Sequence, residues 1–359
     1  GTLSNGAAFS NGTLDLDGTF TISANGSLSA PRGNLDIEAT DFDTTGTFTH
    51  NNGKVRFVGS GNHITIKPNG RAFYNVDIDK DSGHDVKLRE DMIIENVLDL
   101  TGASDYFIID ANGAGGDVTL TMGTSSASGT IESSDVRRFR LNTHSSGKCI
   151  IQGASTLFPC NVTGQDWKWD YGSGAAGTEL ANMNFQVAVD THSDGSNAAK
   201  ITLTGDCEFD AVTVSSGDTL DLNGQRAVFG GTLTNNGNID YDGLVFLDGG
   251  INDDGSTTNT ASCKMIFSTN TGTTDIPGSG VGLMMINHPS FATSFTGGRM
   301  GTTTIIGSGE YRLAGGTSTV TDLTIATGGE LDDRDSGGTV NVAGDFTTSG
   351  GLIGKSGLD

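Results

Sequence analysis

One short phrase recurs along the chain and constrains what it can fold into. Apolar residues stand at alternating positions for three residues, and a polar turn with Gly, Asn or Asp follows. Val55-Arg56-Phe57, Ile64-Thr65-Ile66, Val76-Asp77-Ile78 and Val86-Lys87-Leu88 form one series. Ile201-Thr202-Leu203, Val212-Thr213-Val214 and Leu220-Asp221-Leu222 form a second, and Leu323-Thr324-Ile325 and Val340-Asn341-Val342 a third. Alternation at this period turns successive side chains to opposite faces of a strand. Strands this short bury little alone and must stack on their neighbours.

Three stretches read as copies of one unit. Phe73 to Ile78 leads to Val86-Lys87-Leu88 and then Leu98-Asp99-Leu100. Phe209 to Val214 leads to Leu220-Asp221-Leu222, and Val320 to Ile325 leads to Val340-Asn341-Val342. Turn lengths slip between copies while the apolar-x-apolar core is kept, as a solenoid permits. The expectation is an all-β chain: a parallel β-helix, or β-solenoid, of short stacked strands with coils of about 20 residues. The competitor is an array of antiparallel β-sandwiches. Asn-Gly pairs such as Asn52-Gly53, Asn69-Gly70, Asn223-Gly224 and Asn236-Gly237 suit tight hairpins, yet they suit the corners of a solenoid equally.

Composition supports a folded β chain. Hydrophobic residues make up 34%, with 55 Gly against 5 Pro, and no three-residue period suggests collagen. Val, Ile, Leu and Phe recur throughout, which argues against disorder. The formal charge of −23, from 43 acidic and 20 basic residues, disfavours a nucleic-acid partner, since phosphate binding needs clustered Lys and Arg. The one dense basic run, Arg137-Arg138-Phe139-Arg140, reads as the polar rim of a strand. No apolar run is long enough for a membrane span. The chain opens Gly1-Thr2-Leu3 without Met or a signal-like segment, so it is expected to start inside a longer or processed precursor.

The pattern breaks between 139 and 190, dividing the chain into an N-terminal solenoid (1–138), an irregular insertion or cap (139–190) and a C-terminal solenoid (191–359). The middle segment holds Trp167, Trp169 and Tyr171, which alternate onto one face of a strand. Aromatic faces of this kind stack on sugar rings, which makes the trio a candidate for a cell-surface glycan; packing in a core or an interface is the competing explanation. Cys149 and Cys160 are close enough in sequence to be bridged across neighbouring strands. Cys207 and Cys263 are expected as buried thiols.

Asp110-Ala111-Asn112-Gly113-Ala114-Gly115-Gly116-Asp117 places oxygen donors among glycines. Asp110, Asn112 and Asp117 are therefore candidate ligands for Ca2+. The loop is not tandemly repeated, and a solvated turn explains it as well. No linear catalytic signature is present, whether a nucleophile elbow, a zinc-protease helix or a phosphate loop. Paired carboxylates drawn from different coils would leave no linear trace.

The run Gly46 to Gly61 (GTFTHNNGKVRFVGSG) followed by Phe73 to Ile78, with Gly231 to Gly237 (GTLTNNG), resembles repeats of large β-solenoid surface proteins. These are bacteriophage tail-fibre or virion structural proteins and bacterial adhesin-like proteins. The resemblance covers about half of the chain. It implies a non-enzymatic structural role in an extracellular or virion appendage, contact with a host surface, and self-association into trimers or filaments. The alternatives are a bacterial adhesin or extracellular filament subunit, and a tailspike-like polysaccharide depolymerase. The resemblance transfers no functional residue.

Overall fold

The computed structural model describes residues 2–4, 12–81, 83–102, 106–135, 138–153, 156–158, 167–168, 177–186, 188–190 and 198–249. Beyond these it describes 251–253, 256–259, 264–267, 279–286, 292–295, 298–305, 310–313, 317–320, 322–325, 327, 330–332, 339–350 and 352–353. Two compact units result, Gly1–Val187 with Ser193–Lys200 and Ala188–His192 with Ile201–Asp359.

Both units are parallel β-solenoids. In the first, one coil runs through Phe20–Ile22, Ser27–Ser29 and Asn34–Glu38, and the next through Asp41–Thr44, Thr47–Thr49 and Lys54–Gly59. Each strand pairs in parallel with its counterpart one coil on: Phe20 with Phe42, Leu28 with Phe48, Leu35 with Val55. The second unit repeats the plan. Cys207–Phe209 pairs with Arg226–Phe229, Val212–Val214 with Leu233–Asn235, and Thr219–Asp221 with Asn238–Tyr241. All nine triads singled out in the sequence lie in or overlap these strands. Apart from an isolated antiparallel bridge between Thr124 and Ala127, every described pairing between strands is parallel, which rules out an array of antiparallel sandwiches.

The Asn-Gly ambiguity is resolved at the corners. Asn69 and Gly70 have φ of 51° and 70°, and Asn223 and Gly224 have 48° and 74°, the left-handed pair that a hairpin turn would use. Here the strand before Asn69, Ile64–Lys67, and the strand after it, Arg71–Lys80, belong to different sheets. The turn therefore bends the chain from one face of the coil to the next. Asn adds a second device. Asn51, Asn182 and Asn223 all have positive φ, and each Nδ2 donates to a carbonyl 20 to 29 residues earlier: Ala30 (2.7 Å), Gly153 (2.7 Å) and Leu203 (3.0 Å). One residue type thus tolerates the corner and ties it to an earlier segment.

Coil length varies. The register step is 18 residues from Ala227 to Val245 and 33 from Leu98 to Ile131. Two strands of the first unit, Arg71–Lys80 and Met92–Leu100, are long because they cross a corner without breaking. The register shifts between Phe73 and Asn75 at the bend, as at a bulge. The strands described within 139–190 keep the solenoid register: Cys149 stands between Val118 and Thr178, and Met183 beside Thr156. In the first unit they continue its ladders.

Inward columns form the core. Leu35, Val55, Val76, Leu98 and Ile131 occupy one column and are buried. In-register rings stack, with centroids 6.0 Å apart for Phe107 and Phe139 and 5.3 Å for Phe209 and Phe229. Phe42 meets Phe57 edge-on at 5.9 Å. Such pairs add about 0.5–1.5 kcal/mol each beyond burial. Glycine is required where coils touch: a Cβ on Gly243 would run into the Gln225 carbonyl of the preceding coil.

Phe57→Ala is expected to cost about 3–5 kcal/mol, the usual range for emptying a buried aromatic site. Val58→Ala, on the outward side of the same strand, should cost about 0.5 kcal/mol or less. Urea unfolding followed by circular dichroism compares the two; equal losses would contradict the inward–outward assignment.

Candidate functional site

Three successive corners of the first unit, all at the same edge of the coil, form an open cleft of about 430 Å³. The first corner supplies Asn69 and Gly70, the second Arg89, Glu90 and Asp91, and the third Ala114, Gly116 and Asp117. The first two corners are short turns, 68–70 and 89–91, whereas the third spans 111–117. The extra length comes from the one-turn helix Ala111–Ala114, whose start is capped by Asp110 and whose end is stopped by Gly115 at φ 72°. A Cβ on Gly113 would overlap the Asp110 carboxylate and the Arg89 guanidinium.

Behind the cleft the charged groups are anchored. Asp110 is 3% exposed. Its Oδ1 accepts from Gly113 N (2.9 Å) and Asn142 Nδ2 (2.6 Å), and its Oδ2 from Arg89 Nε (2.8 Å). Asp91 Oδ1 accepts from Thr119 N and Asp117 Oδ1 from Lys148 N, both at 2.8 Å. Arg89 Nε and one carboxylate oxygen each of Asp91 and Asp117 are thus fixed, while the other guanidinium nitrogens and the second oxygens of Asp91 and Asp117 make no hydrogen bond with the described residues.

This is the stretch singled out as a calcium loop. Asp110 and Asp117 are both engaged by protein donors, and Asn112 is exposed on the helical turn. Among the described residues no three His, Cys, Asp or Glu side chains group as a metal site. Cys149 is a free, buried thiol. Its Sγ donates to the Ile109 carbonyl at 3.3 Å, and burial pushes its pKa up to about 12. Cys160, Trp169, Tyr171 and the side chain of Trp167 lie outside the described residues, as does Arg137. Arg140 packs its guanidinium over the Tyr106 ring, 3.1 Å from the centroid. Among the described residues no helix is long and apolar enough to cross a membrane.

A second polar surface is an outward column that the sequence alone did not disclose. Asp15, Asp36, Arg56, Asp77, Asp99 and Glu132 occupy equivalent positions in six successive coils. Arg56 bonds carboxylates on both sides: Asp36 Oδ2 at 3.3 Å, Asp77 Oδ2 at 3.2 Å and Asp79 Oδ2 at 2.8 Å. Burial raises the Asp36 pKa, Arg56 opposes that rise, and Asp15 adds to it. Beside the column, the His50 ring stacks on Tyr74, with its Nε2 3.5 Å from Glu95 Oε2, and Asn96 Nδ2 donates to Asn75 Oδ1 at 2.8 Å.

In the second unit Asp221 and Asp240 are register partners. The Asp240 Oδ1 is buried and takes no hydrogen bond from the described residues. Burial raises its pKa, and Asp221 and Asp242 raise it further.

Arg56→Met should destabilise the first unit by about 1–2 kcal/mol, a partly exposed charge network being worth less than a buried one. The loss should shrink when Asp36 and Asp77 are also changed to Asn; an undiminished loss in the triple variant would contradict the network. Asp240 concerns pH. A carboxyl with a higher pKa folded than unfolded takes up protons on folding, so its contribution falls as pH rises from the unfolded value through the folded one. Asp240→Asn should therefore raise the urea midpoint at about pH 7 and leave it unchanged at about pH 3, where the carboxyl is protonated in both states.

No family model matches the chain, and neither a curated protein nor a solved structure matches it.

Proposed function

We propose that the chain is a non-enzymatic structural protein, a fibre-like β-solenoid segment of an extracellular or virion appendage that contacts a host surface. The observation that carries this reading is the use of the outward charges. Arg56 joins carboxylates of the coil before its own and the coil after it, Lys54 lies near Asp77 and Asp99 of the next two coils, and Lys148 reaches Glu179 one coil on. These contacts reinforce coil stacking along the surface, as a scaffold requires. The net charge of −23 supports the same reading, since it keeps like surfaces apart in solution. Repeating coils hold outward groups at fixed spacing, which suits display to another surface.

Immunogold electron microscopy on the source material tests the proposal. Label on thin fibres attached to viral particles is the expected result. Label on cell envelopes or free filaments would favour an adhesin or filament subunit, and label confined to the cell interior would overturn both.

A further inference from the structure

We propose that the cleft at the three stacked corners of the first unit binds a neutral, hydroxyl-rich ligand, a saccharide unit, through Arg89, Glu90, Asp91 and Asp117. This inference is independent of the scaffold reading and would hold for a solenoid of any location.

Donor and acceptor complementarity selects the ligand. Guanidinium is a donor without acceptor capacity, and ionised carboxylates are acceptors without donors. Arg89, Glu90, Asp91 and Asp117 line the same cleft, which therefore presents both kinds side by side. A phosphate, sulfate or uronate would satisfy Arg89 but face three carboxylates. An amine would satisfy the carboxylates but face Arg89. A hydroxyl donates and accepts at once, so neighbouring hydroxyls on a ring can give protons to the aspartates while taking them from the guanidinium.

Two further observations favour a ligand site over a solvated turn. The volume, about 430 Å³, falls in the range of small-molecule sites. The polar groups are also held before any ligand arrives. Arg89 is fixed through Nε by Asp110, which is nearly inaccessible and is itself bound by Asn142 Nδ2 and Gly113 N. Backbone N–H groups of Thr119 and Lys148 fix one oxygen of Asp91 and of Asp117. Support of this kind from behind lowers the ordering cost of binding.

Gly116 allows a clean test. It lines the cleft, and a Cβ there would meet nothing within 4 Å. Gly116→Phe should therefore be tolerated by the coils, and a ring at this lining position is expected to occupy the cleft. The probes are maltohexaose, mannohexaose and galactohexaose, followed by saturation-transfer NMR and titration calorimetry on the full chain. At least one is expected to bind wild type, with Gly116→Phe abolishing the signal at an unchanged melting temperature. Glu90→Gln should weaken binding about tenfold, the effect of losing one charged hydrogen-bond partner. The proposal is overturned if none of the three binds, or if Gly116→Phe binds as wild type does. It is also overturned if oligogalacturonate, spermidine or calcium chloride alone occupies the cleft in their place.

Discussion

The parallel, in-register backbone ladder is the constraint on which the rest of the structure depends. Once Leu35 pairs with Val55 and Val55 with Val76, a residue's inward or outward position is fixed for the whole column. An apolar residue out of phase would expose itself and bury its polar neighbours. The ladder thus explains why turns vary freely while the apolar-x-apolar triad is kept. The register step ranges from 18 to 33 residues, yet the triads described on either side of the longest steps stay in phase.

The same ladder creates an electrostatic problem. Strand spacing of about 4.8 Å brings outward residues of one column into mutual contact, so an acidic chain stacks carboxylate on carboxylate. Asp15 and Asp36, Asp77 and Asp99, and Asp221 and Asp240 are neighbours of this kind. Arg56 offsets the repulsion in the first unit by bonding Asp36, Asp77 and Asp79. Asp240 has no basic group among the causes of its shift, and its pKa is raised. In the first unit Lys54 adds to the offset at Asp77 and Asp99, and the planar guanidinium of Arg56 serves more than one carboxylate at once.

Legibility in the sequence followed this division. The solenoid was readable because the triads carry the period and the ladder makes it obligatory. Asn69-Gly70 was ambiguous because its backbone angles are the same in a hairpin and in a corner; only the sheets on either side distinguish them. The acidic column was hidden because its members stand 20 to 33 residues apart with unequal steps. Asp110 and Asp117 stand out in the sequence for their oxygen atoms among glycines. Their spacing could not reveal that Arg89, one coil earlier, and Asn142, one coil later, would hold Asp110.

The cleft shows how a repeat acquires a site. If all corners were as short as 68–70 and 89–91, their side chains would form a continuous outer edge with no depth. The helical turn Ala111–Ala114 lengthens one corner, and the ladder holds its neighbours in place, so the added residues must loop outward. Asp110 has a double part in this: as helix cap it shapes the longer corner, and as partner of Arg89 it orients the guanidinium of the corner before it. A single buried carboxylate therefore couples the shape of the cleft to its chemistry, and neither could change alone without exposing an unpaired charge.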